Sequence, residues 1–146
     1  MLGRKDYTRE ELDHARDTIE RQLAAYRELA EAVRTGSDPR AQAALEAFEP
    51  LFANHMTMVL DRYFVHRLRV VTGKDGNPLN EVELLAASLL DDGAAFRTNK
   101  VIKLTPGETV LGLEEGDRIA LGADEFERLA HAFLADLEAK FVGVAA

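Results

Sequence analysis

The chain contains no cysteine in its 146 residues. That single absence removes disulfides, thiolate metal sites and cysteine nucleophiles together, and it fits a reducing compartment. Serine occurs only at Ser37 and Ser88. The first reads as a helix cap and the second lies within a helix; neither sits in G-x-S-x-G, so a serine nucleophile finds no support. No apolar run approaches the roughly 18 residues of a membrane span; a stretch such as "LFANHMTMVL" is broken by Asn54 and His55. The charged opening "MLGRKDYTREELDHARD" has no apolar segment of signal-peptide type. We expect a cytoplasmic protein with no membrane partner.

Positive charge is also in short supply. Eighteen Lys and Arg face 26 Asp and Glu, a formal net charge of −8. This opposes nucleic acid as a partner, whose affinity comes from neutralised phosphates, and favours solubility. The charge is segregated. Arg62, His66, Arg67, Arg69 and Lys74 follow one another without an acid between them, whereas Glu108, Glu114, Glu115, Asp117, Asp124, Glu125 and Glu127 face only Arg118.

What remains is ordinary for a globular chain, 47% hydrophobic and 30% charged. The length suits one domain, residues 1–146, with a core of useful size. Periodicity makes it mainly α-helical, a four-helix bundle-like fold. The first helix opens at Thr8, with Glu11 completing a capping box. Leu12, Ala15, Ile19, Leu23, Tyr26, Ala30 and Val33 form its stripe, and Gly36 stops it. Its length is about 40 Å, longer than a compact domain of this size requires.

Ser37 or Asp38 caps a second helix with Pro39 in its first turn. Pro50 should kink or split it, leaving a second piece over 51–71. Asn77 or Asn80 caps the third helix, striped by Leu79, Val82, Ala86 and Leu89 and ended by Gly93. Between helices 3 and 4, residues 100–121 alternate ("KVIKL", "TVLGL", "RIAL") between turns "TPGE" and "EEGD". This predicts a small antiparallel β-hairpin or meander. Asp124 and Glu127 box the last helix, whose stripe is Phe126, Leu129, Phe133, Leu137 and Phe141.

The chemistry-bearing residues concentrate in "NHMTMVLDRYFVHRLR", 54–69. On a continuous helix, His55, Arg62, His66 and Arg69 share one edge, and Asn54, Thr57 and Asp61 another. His55 and His66 stand about 16 Å apart along the axis, so one metal cannot bridge them. "ELDH", Glu11 to His14, has the spacing of di-metal bundles but occurs once. We therefore expect no metal and no cofactor. The loop "GKDGNPLNE" lacks both P-loop and EF-hand register; it reads as a turn and cap, with Arg67, Arg69, Lys74 and Asn77 converging on one surface. The two polar edges and this loop make His55, Arg62, His66, Arg69, Lys74, Asn77, Asn54 and Asp61 the binding candidates.

Three functions are compatible with these features. The first is a non-catalytic protein acting through an interaction surface, a homo-oligomer and foremost a dimer. The second is a bundle holding a small, anionic ligand near His55, Tyr63 and His66. The third is an acid–base enzyme built on Asp61 and a histidine, and the sequence leans away from an enzyme.

Overall fold

A computed structural model describes residues 3–91, 93–105 and 107–143. Five helices form among them: α1 (Arg9–Thr35), α2 (Pro39–Tyr63), α3 (Arg69–Thr72), α4 (Pro78–Asp91) and α5 (Ala123–Phe141). α2 packs on α1, α4 and α5, and α5 also meets α1 and α4. The helices share one buried cluster, with Leu12, Ile19, Leu60, Leu79, Leu85, Phe126, Phe133 and Phe141 among its members.

The start of α1 follows its sequence signal. The Thr8 hydroxyl accepts from the Glu11 N–H at 3.1 Å and the Glu11 carboxylate accepts from the Thr8 N–H at 2.7 Å. Arg4 grips the same carboxylate with both terminal nitrogens, at 2.7 and 2.9 Å. That pairing holds Glu11 down at about 2. Thr8→Ala should lower stability by about 1 kcal/mol, read as a shifted denaturation midpoint with unchanged slope.

α2 departs from expectation at both marks. It runs unbroken through Pro50, because packing against three neighbours outweighs the local clash and missing donor. It then stops at Tyr63, well short of residue 71. The stop carries no glycine or proline. The side chain of Arg67 folds back and donates to the carbonyls of Phe64 (2.9 Å) and Asp61 (3.3 Å) at the helix end, adding to the backbone N–H each already accepts. The N-terminal segment completes the turn: Arg4 N–H donates to the His66 carbonyl at 2.7 Å, and Leu68 N–H to the Arg4 carbonyl at 3.0 Å.

The cap of α5 is also displaced by two residues. Gly122 takes the cap position and the Glu125 carboxylate accepts its N–H at 3.0 Å. A carboxylate from α2 does the remaining work, Glu49 accepting from the Ala123 N–H at 2.8 Å. Asp124 and Glu127 serve Arg27 of α1 instead, each at 2.7 Å.

The expected β insert is absent. Among the described residues no strand forms; there are only isolated bridges, Arg4 with Arg67 and Ala95 with Arg118. Pro106 of the "TPGE" turn lies outside the described residues. Two causes replace the ladder. Gly107, Gly112 and Gly116 take positive φ and break the pleat. Side chains, not a neighbouring strand, then take up the backbone groups. Asn99 Oδ1 accepts from Val101 and Ile102, Glu81 from Val110 and Leu111, and Asp117 from Glu114.

Candidate functional site

The early end of α2 decides where its polar residues go. Its buried face is Leu45, Ala53, Met56, Thr57 and Leu60, so Asn54, Thr57 and Asp61 point toward protein. Thr57 is fully buried and returns its hydroxyl to the Ala53 carbonyl at 3.0 Å. Asn54 fastens the segment after α4: its amide donates to the Ile119 carbonyl at 2.8 Å and its oxygen accepts from the Leu121 N–H at 3.1 Å.

Asp61 meets Arg67 at 2.7 Å, with side chains 20% and 4% exposed. Arg67 also reaches the Leu79 carbonyl at 3.3 Å and lies over the Phe133 ring, 5.1 Å from its centroid. Burial pushes the Asp61 carboxyl up from its ordinary value, and the guanidinium pulls against that shift. No histidine bonds Asp61 among the described residues, so the acid–base pairing expected there is not assembled. The Asp61–Arg67 pair instead holds the end of α2 against α4 and α5.

The edge of His55, Arg62, His66 and Arg69 is not formed. His55, Arg62 and His66 are exposed, but His66 lies beyond the helix. Arg69 opens α3 and turns to the following loop, where it binds Glu83, the Asn80 side chain (2.8 Å) and the Gly73 carbonyl (3.2 Å). Asn77 joins that loop, bonding the Thr72 carbonyl and Asp75 at 2.7 Å each while its oxygen caps Asn80 at 3.0 Å. Arg69 and Asn77 are thus brought together, but as internal struts. Lys74 stays exposed. The expected ligand pocket is reduced to a shallow depression of about 160 Å³ beside Val59, Arg62 and Tyr63. Among the described residues, no three His, Asp or Glu stand together as a metal set.

Two features had no clear sequence signal. One is Glu81, 2% exposed, whose two oxygens each accept a backbone N–H, from Val110 at 2.8 Å and Leu111 at 3.0 Å. Its place in the first turn of α4 suggests an ordinary helix-dipole acid. The other is the outer seam of α1 and α2. Where α1 meets α5, the seam is covered by ions: Arg9 and Arg16 reach Glu138, and Arg27 reaches Asp124 and Glu127. Where α1 meets α2, aromatic rings line it beside an Arg34–Glu49 ion pair at 3.1 Å. Tyr26 stacks on Phe52 with centroids 4.7 Å apart, and Phe48 lies 6.4 Å from Tyr26. Burial and the Glu49 carboxylate push the Tyr26 hydroxyl up to about 12, leaving it a neutral donor at 2.9 Å.

Phe48 and Leu51 stand on the outside of this seam, Leu51 being 67% exposed. The outward positions His55 and Val59 follow at helical spacing, and residues 50–60 contain no charged side chain. No helix of the described residues is long and apolar enough to cross a membrane. Comparison with protein-family models, with curated proteins and with solved structures finds no match for the chain.

Proposed function

We propose that the chain is a non-catalytic helical protein that acts through the outer face of α1 and α2, with a second copy of itself as the partner. The observation that carries this reading is the three-turn outer face of α2 without charge, in a chain that is 30% charged. Solvated helices carry charge on their outer face, and contiguous exposed apolar surface marks contact sites. The contrast within α1 supports it: one flank is closed by several ion pairs, whereas the other is lined by rings and aliphatic groups, with the Arg34–Glu49 pair at its margin.

A second copy suits this face because it is uncharged at its centre. Two chains of net charge −8 repel at a distance, yet docking α2 antiparallel on α2 buries no unpaired ion. A two-fold axis makes the same patch serve both sides. His55 lies near the middle of the run, and the two Arg62 groups fall at opposite rims.

Light scattering at micromolar concentration should give twice the 16.2 kDa chain mass. Leu51→Glu should weaken association by about a hundredfold, as expected for a central interface residue. Since Leu51 is exposed in the single chain, far-UV dichroism and melting of the monomer should not change. A monomer mass throughout, or an unaffected dimer in the variant, would count against the reading.

A further inference from the structure

Between α4 and α5, the described residues of the segment 93–122 form no helix and no strand. Connections beyond about 12–15 residues are uncommon in compact domains and belong either to binding loops or to disordered linkers. This one is no linker. It buries Phe96, Ile102, Ile119 and Leu121, and it is tied down from outside by Ser88, Glu81 and Asn54. Gly76 of the preceding loop backs it closely; a Cβ there would lie 3.2 Å from Leu104 and 3.5 Å from Thr109.

The tied segment borders a half-open cavity of about 320 Å³, within the size range of small-ligand sites. Leu104 and Leu113 supply apolar wall. Most of its polar groups are already engaged. The Thr98 hydroxyl donates to Glu115 at 2.9 Å, and the Thr109 hydroxyl accepts from the Gly112 N–H at 3.0 Å. Among the described residues, the Glu114 carboxylate and the Thr105 hydroxyl keep free bonding capacity, and no cationic side chain lines the cavity.

We propose that this cavity binds a small organic ammonium: an amine whose short apolar body lies between Leu104 and Leu113 and whose charged head bonds Glu114. An anion of the same shape would meet the Glu114 carboxylate, because Arg97 is already paired with Glu115 at 3.7 Å. A neutral alcohol would forgo the charge-assisted bond. Selectivity thus comes from repulsion as well as attraction. The wall at 109–112 is held by Glu81, so the site is formed before the ligand arrives.

The test is a titration of the full chain, followed by backbone amide NMR, with phenethylammonium, 3-phenylpropionate and 2-phenylethanol in turn. The amine should give saturable shifts confined to amides of 98–115, at least about tenfold tighter than either analogue. Glu114→Gln, at an exposed position, should remove most of that margin. Thr105→Phe should fill the cavity and abolish binding with dichroism unchanged. Equal binding of all three molecules, shifts centred elsewhere, an absence of saturable shifts, or undiminished binding in either variant overturns the proposal.

Discussion

Asp61→Ala should destabilise the protein by about 3–5 kcal/mol, because it strands the Arg67 guanidinium in a site where it is 4% exposed. For a chain of this length that is a fall in melting temperature of roughly 10–15 °C. Arg67 cannot swing into water cheaply. It is held by the carbonyls of Asp61, Phe64 and Leu79 and stacked on Phe133. Removing the carboxylate leaves charge without a counter-charge, which costs more than the pair contributed.

Asp61→Asn keeps an acceptor and should lose only about 1–2 kcal/mol. Replacing both partners, Asp61→Leu with Arg67→Met, should recover part of the single-variant loss. It should not recover all of it, since the carbonyls of Asp61, Phe64 and Leu79 lose the bonds Arg67 donates. Calorimetry of the four proteins decides the matter. A loss near zero for Asp61→Ala would mean that the pair is solvated and that something else ends α2.

The same pair shows where sequence reading stops. Helix starts are local events, and α1 begins at Thr8 with Glu11 as the spacing predicts. Stripes are local too: Leu12 through Ala30 in α1 and Phe126 through Phe141 in α5 are buried. The end of α2 is not local. It depends on Arg67 reaching back one turn and on Arg4, sixty-odd positions earlier, pairing with 66–68. With no glycine or proline at Tyr63, periodicity ran the helix on to 71 and produced an edge of His55, Arg62, His66 and Arg69 that the turn dismantles.

The inner face of α2 is illegible in the sequence for a related reason. α2 is apolar around most of its circumference, so periodicity cannot choose the inner face. The choice falls to Thr57 and Asn54, polar but small or bonded, which pack inward, while Phe48 and Leu51 remain outside. Three polar groups on one face, each able to bond backbone, can mark an inner strip that serves a neighbouring loop. The residues 100–121 alternate like strands, yet alternation specifies only which side chains point inward. Whether a ladder forms depends on partners, and here Glu81, Asn54 and Asn99 are the partners.

Glu81→Ala should remove the acceptors of two backbone N–H groups at once, a loss of about 3–4 kcal/mol. Val110 and Leu111 are only half-buried, so their amides can reach water if the segment lifts. The loss should therefore appear as local opening: amide exchange across 98–121 accelerating about a hundredfold or more, while α1 and α5 exchange almost as before. Phenethylammonium binding should vanish with it. Acidity supplies an independent check. Burial raises the Glu81 carboxyl above its ordinary value, and among the described residues no cation faces it; the two N–H donors only moderate the shift. A folded pKa above the unfolded one means that ionisation opposes folding. That penalty is full above the raised pKa and gone below about 4.3, the unfolded value. Glu81→Gln carries no such penalty at any pH. Stability of the native chain minus that of Glu81→Gln should thus rise as pH falls from neutrality toward that value. The lowered carboxyls of Glu11, Glu49, Glu115, Glu127 and Glu138 act the opposite way, losing their stabilisation as pH drops, but they are common to both proteins and cancel in the difference. A flat or falling difference would mean that the two N–H donors offset or outweigh the burial, and Glu81 would then ionise without penalty.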